Sequence, residues 1–262
     1  MKKNISNFVK ILLVFGIVQL FGCSVSSNEA AFDIGPGVAG SYARFIVVEN
    51  FLYIVDNTSI QTFDISEADD PVRVDQREIG SLIESIFHLD GNLFIGAGSG
   101  LFLYTINDNG IPEFTADVPH NFPIPPSDPV VANATNAYVT LNTSTWRCTF
   151  CWTPQNFNVL KVFDINNIEE PALIAEYPMQ NPKGLGLDGD ILFLCDDAAG
   201  LRVLDISDPA EVEVLYHFDD FTAFDVIPLG GLLIVVGPDN VYQFDYTDMD
   251  NMVLISTIPI QV

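Results

Sequence analysis

Basic side chains are scarce in this chain: its 262 residues carry ten Lys+Arg against 35 Asp+Glu, a formal net charge of −25. So deep an acidic excess repels phosphate over most of the surface and excludes nucleic acid as a partner. Histidine is sparse too, with three copies, and the four cysteines include one Cys-x-x-Cys without a second pair, a weak zinc signal. No window keeps a 3.6-residue period, so helices are expected to be few. What the chain has in quantity is apolar and aromatic residues, 48% and 11%. These are enough to build a core, and they exclude intrinsic disorder.

The first 22 residues read as an address. Met1-Lys2-Lys3-Asn4 is a short basic start, and Ile11–Val18 forms an apolar run too short to span a bilayer comfortably but suited to a secretory signal. It ends at Leu20-Phe21-Gly22-Cys23, followed by the polar stretch Ser24–Glu29. This stretch resembles the lipobox of bacterial lipoproteins, in which the Cys becomes lipidated and, after cleavage, N-terminal. The resemblance implies residues 1–22 as a cleaved signal peptide, Cys23 as the lipidation site, 23–40 as a lipidated tether, and a home in the bacterial cell envelope. More than one acyl chain would anchor stably where a single chain would not. Cleavage removes three lysines and no acid, leaving 240 residues with seven basic and 35 acidic side chains, net −28.

From residue 41 to 262 the chain repeats itself. A Gly/Asn/Asp turn leads into an apolar strand at Asn50–Val55, Gly91–Ile95, Asn136–Val139, Asp190–Leu194 and Gly231–Val235. An alternating strand then closes on Phe63-Asp64-Ile65, Tyr104-Thr105-Ile106, Phe163-Asp164-Ile165, Leu204-Asp205-Ile206 and Phe244-Asp245-Tyr246. The step between the two patterns is 10 or 11 residues, except for 25 in the third copy. Subtracting that 15-residue insertion from residues 43–260 leaves about 41 per copy, the length of a four-stranded propeller blade. The expected fold is therefore all-β: a five-bladed β-propeller of four-stranded antiparallel blades after a cleaved signal peptide.

Leu201–Ile206 with Ser207-Asp208-Pro209, Val159–Ile165 with Glu170-Pro171, and Ile60–Ile65 with Asp70-Pro71 are similar to the LVIVD repeat of bacterial secreted and surface proteins. The copies at Leu101–Ile106 and Val241–Tyr246 are degenerate, the first lacking the Asp and the second the following Pro. The resemblance implies a propeller and is almost silent on activity. The repeated residues have structural reasons. The Phe or Leu packs between blades, Asp64, Asp164 and Asp205 accept backbone N–H bonds in the next turn, and Pro71, Pro171 and Pro209 stiffen that turn.

With strands A to D running outward from the central channel, B–C and D–A connections share one face. The insertion, containing Trp146, Arg147, Cys148, Cys151 and Trp152, is a B–C connection of the third blade. The long stretch around His120 is the D–A connection just before it, so both rise from the same face. Three readings of Cys148 and Cys151 compete: a disulfide pinning the loop, a metal site with His120 or His217, and a redox dithiol. The disulfide needs least else, and no metal or cofactor is expected. Cys195, in a B strand, reads as inert core. Trp146 and Trp152, the only tryptophans, either fold the loop down or present a stacking surface for a sugar or protein, with Arg147 as a polar contact.

A second group, Arg44, Glu84, Asp128, Lys183 and Asp225, supplies one polar residue per blade near the start of the inner strands. These five are expected either to pair around the channel mouth or to hold a small ligand or cation there. The expected role is a lipid-anchored, monomeric binding or scaffold protein that meets a protein or glycan on the insertion face. The competing role is a hydrolase or lyase with carboxylates or a metal at the channel mouth.

Overall fold

A computed structural model describes residues 41–80, 82–119, 129–143 and 157–260. These residues form five four-stranded antiparallel sheets, each built from four consecutive strands: the blades of a five-bladed β-propeller. Blade 1 is β1 (Phe45–Val48), β2 (Phe51–Val55), β3 (Ser59–Asp64) and β4 (Val72–Glu78). Blade 2 is β5 (Ile83–Leu89), β6 (Asn92–Ala97), β7 (Gly100–Ile106) and β8 (Pro112–Pro119). Blade 3 is β9 (Val130–Ala132), β10 (Asn136–Asn142), β11 (Asn158–Asp164) and β12 (Ala172–Pro178). Blade 4 is β13 (Leu185–Asp188), β14 (Ile191–Cys195), β15 (Leu201–Asp205) and β16 (Glu213–Phe218). Blade 5 is β17 (Asp225–Pro228), β18 (Leu232–Val236), β19 (Asn240–Asp245) and β20 (Val253–Pro259).

The repeat dictates where the core sits. On each B strand, successive side chains point to opposite faces of the blade and so to opposite neighbours. Leu93, Ala137, Leu192 and Leu233 face the preceding blade, while Tyr53, Phe94, Tyr138 and Phe193 face the following one, and all are at most 1% exposed. The motif residue before the Asp joins the first set: Tyr104, Phe163, Leu204 and Phe244 each pack back onto the blade before. Four such clusters join blades 1–2, 2–3, 3–4 and 4–5. Among the described residues no fifth cluster joins blade 5 to blade 1. There Leu52, Phe63 and Ile234 stay half-buried at the same repeat positions, and Phe45 and Val47 are exposed.

The motif also fixes the outer strand. In all five blades the C–D register slips just before the Phe, Tyr or Leu of the motif, which leaves Val74, Thr115, Ile174, Leu215 and Ile255 without an opposing residue. Such bulges raise the local twist and turn an edge strand away from further pairing. The Asp that follows does what its position implies. Asp64, Asp164, Asp205 and Asp245 accept the N–H of Ser66, Asn166, Ser207 and Thr247 at 2.8–2.9 Å. In the fifth copy, which lacks the proline, a short 3-10 turn (Met249–Asn251) capped by Asp248 takes its place.

The first inner strand begins only at Phe45. The residues before it bond to other blades instead: Ala43 O accepts from Ile86 N, and Ser41 Oγ accepts from Leu185 N.

Candidate functional site

The topology puts the B–C and D–A connections on one face. The third blade's insertion runs between β10 and β11, and the neighbouring long connection between β8 and β9. Cys23, His120, Asp128, Trp146, Arg147, Cys148, Cys151 and Trp152 lie outside the described residues. The base of the insertion is described, and it is tied down. Phe157 N donates to Thr143 Oγ1 at 2.8 Å, and Thr143 N to Asn158 Oδ1 at 3.3 Å. Asn142 Nδ2 reaches Pro182 O at 3.1 Å, and Asn158 Nδ2 donates to Gln180 O.

The segment these bonds grip, residues 180–183, is held in turn by Asp196. This fully buried carboxylate accepts from Gln180 N and Asn181 N at 3.0 and 2.7 Å, and from Arg202 Nε at 2.8 Å. Lys183 O accepts from Thr140 Oγ1 at 2.7 Å, and Lys183 N donates to Cys195 O. A continuous set of hydrogen bonds therefore runs from the insertion base to the start of the blade-4 inner strand.

Asp225 stands at the same level in blade 5. Its neighbour across the blade gap is Gly184, and a side chain there would overlap the Asp225 carboxylate. Glycine is required at this close approach. Ser41 Oγ donates to Asp225 Oδ1 at 3.4 Å. Burial pushes the Asp225 carboxyl up to about 6, against the opposing pull of hydrogen bonds from Val226 and Ser41. Asp225 is thus a carboxyl able to exchange a proton near neutrality. Beside it, burial first, then the charges of Asp225 and Asp196, push the Cys195 thiol well up. The fully buried Cys195 is inert core, as its place in a B strand implied.

The five polar residues expected at the channel mouth divide by register. Arg44 O accepts from Val55 N and Asp225 pairs with Val236, so these two occupy one repeat position. In blade 4 that position is Gly184, paired with Cys195, and Lys183 falls one residue earlier. Glu84 lies in a bulge between Ile83 and Ser85. Arg44 and Asp225 thus share a phase from which Lys183 is offset by one residue. Arg44 donates to Asn57 Oδ1 at 3.2 Å, over an open cleft of about 570 Å³ that Asp56 also lines. Asp56 accepts from Thr58 N, Ser59 N and Ser59 Oγ at 2.7–2.8 Å. These bonds, led by the Thr58 amide, pull its carboxyl down to about 2. His217 Nε2 bonds Ala199 O at 2.7 Å, in blade 4. Among the described residues no group of three His, Cys, Asp or Glu is placed to hold a metal ion.

Sequence reading passed over Asp196, Ser41 and Gly184. A signal was present for the first: Asp56 and Asp196 each follow a B strand directly, a position left polar in no other blade by an acid. Ser41 acts across the ring at 144 residues' separation from Leu185, which no local pattern encodes.

Fold and repeat together define the class: a β-propeller carrying LVIVD repeats, whose family profile matches residues 39–74 and 183–220. Among solved structures the chain is similar to a functionally unknown protein from Desulfotomaculum acetoxidans (11% identity, TM-score 0.65, 82% of this chain and 68% of that one). It is also similar to the periplasmic gluconolactonase PpgL of Pseudomonas aeruginosa (13%, 0.59, 81% and 69%). A third likeness is AztD of Citrobacter koseri (14%, 0.56, 82% and 61%), of which the chain spans about three fifths. At these identities the likeness is one of fold. No curated protein matches the sequence.

Proposed function

We propose that this protein is a lipid-anchored propeller of the bacterial cell envelope, held by Cys23, that binds a protein or glycan partner through the insertion face. The observation that carries the reading is the fixed base of the insertion. Asn142 and Asn158 tie the two ends of the loop to residues 180–182, Thr143 ties those ends to each other, and Asp196 of blade 4 holds residues 180 and 181 in place. A long connection raised on so rigid a footing, holding both tryptophans and an arginine, has the composition of a recognition surface. In this reading Trp146 and Trp152 stack on the partner, Arg147 adds a polar contact, and a Cys148–Cys151 disulfide stiffens the tip.

The test is capture of partners from native envelopes by the full chain, set against Trp146→Ala/Trp152→Ala and a Cys23→Ser form. The tryptophan variant should lose its partner while keeping the wild-type circular dichroism, and Cys23→Ser should leave the membrane fraction. Retention of the same partners by the tryptophan variant overturns the reading.

Asp225 supports a second reading, acid–base chemistry at the channel mouth, because its carboxyl is the kind of group that transfers protons near neutral pH. That reading predicts an activity abolished by Asp225→Asn and indifferent to the tryptophans.

A further inference from the structure

The face opposite the insertion holds a cavity of about 400 Å³ between blades 1 and 2. The turns β1–β2, β5–β6 and β7–β8 surround it. One wall is set by Gly110 (φ +74°), packed so tightly on the Phe51 ring that a Cβ would overlap it. Tyr53 Oη donates to Gly110 O at 2.9 Å and fixes that contact.

His88 closes the inner end. It is 8% exposed and lines the cavity, and its Nε2 accepts from Gly91 N at 3.2 Å. Burial keeps the ring neutral, lowering its pKa against the opposing pull of Asp90 and Glu49. A neutral imidazole that accepts at Nε2 carries its proton on Nδ1. That N–H has no acceptor among the described residues. An occupant with an oxygen would satisfy it, and one without would leave a buried donor unpaired.

The rim is acidic. Glu49 and Asp108 line the cavity, and among the described residues no Lys or Arg does. Glu49 also stands in the left-handed region (φ +52°), at a turn position that blade 2 fills with Asp90 (φ +47°) and blades 4 and 5 with Gly189 (φ +57°) and Gly230 (φ +56°), so glycine is the less strained residue there.

We propose that this cavity binds a small organic cation that also bears a hydroxyl or carbonyl oxygen. The ammonium meets Glu49 and Asp108, the carbon skeleton lies on Phe51, and the oxygen takes the His88 Nδ1–H. Anions are turned away by the rim and by the charge of the whole chain.

The experiment is calorimetric titration of the full chain in detergent with glucosamine, glucose and cyclohexylamine. Glucosamine should bind saturably, and glucose (no charge) and cyclohexylamine (no oxygen) each about tenfold more weakly. Glu49→Gln should weaken glucosamine about fivefold. Glu49→Gly should raise the melting temperature while weakening binding, a split that a purely structural role would not produce. Absence of heat to about 10 mM glucosamine, equal affinity for glucose, or affinity unchanged in Glu49→Gln overturns the proposal.

Discussion

Phe193 and Ile234 occupy the same place in blades 4 and 5, yet Phe193 is sealed and Ile234 is half-buried. The difference is the neighbour. Phe193 meets blade 5 in a full cluster, whereas Ile234 faces the gap toward blade 1, where the described residues build none. Leu52 and Phe63 show the same loss on the other side of that gap, against Leu93, Ala137, Leu192 and Leu233 at equivalent points. A repeat thus sets which way a side chain points, while the ring decides whether anything is there to receive it.

The largest expected effect is at a sealed position. Phe193→Ala should cost about 3–5 kcal/mol in urea unfolding, and Ile234→Ala about 1 kcal/mol. Equal losses would mean that the blade 5–1 gap is packed like the others. Next comes Gly184→Ala, which places a methyl group on the Asp225 carboxylate and should destabilise by about 2 kcal/mol. Adding Asp225→Ala should restore much of that loss, which tests whether the clash is with that side chain.

Asp225 itself should print on the pH dependence. With its carboxyl raised to about 6, the folded state holds the proton more tightly than the unfolded chain. Stability from this group is therefore greatest at low pH and falls as pH rises from about 4 to about 6. Asp225→Asn should flatten that slope and gain on the order of 2 kcal/mol at neutral pH, allowing for partial exposure. The smallest effect belongs to the open gap: Phe45→Ser, at a residue 63% exposed, should shift stability by less than about 0.5 kcal/mol. A larger loss would show that something covers this face.

Blade count, strand order and the two faces were legible because period-2 alternation and the Phe-Asp-Ile signature are local, and each copy repeats them. The turn-capping role of Asp64, Asp164 and Asp205 was legible for the same reason. The start of β1 was not, because Ser41 and Ala43 bond to blades 4 and 2 and leave their own ladder. The shared repeat position of Arg44 and Asp225, and the one-residue offset of Lys183, come from strand register, which sequence spacing alone does not resolve. Asp225 was singled out as a polar residue, but its raised pKa comes from burial, opposed by the bond from Ser41. Both depend on residues distant in sequence and close in space, Gly184 packing against the carboxyl.

Among the described residues each sheet is made from four consecutive strands, so every blade is a continuous stretch of chain. Cutting the chain between β8 and β9 and joining the end of β20 (Val253–Pro259) to the first blade would leave all five sheets whole. Such a molecule can grow or shrink by whole duplicated units in its gene, each arriving as a finished blade.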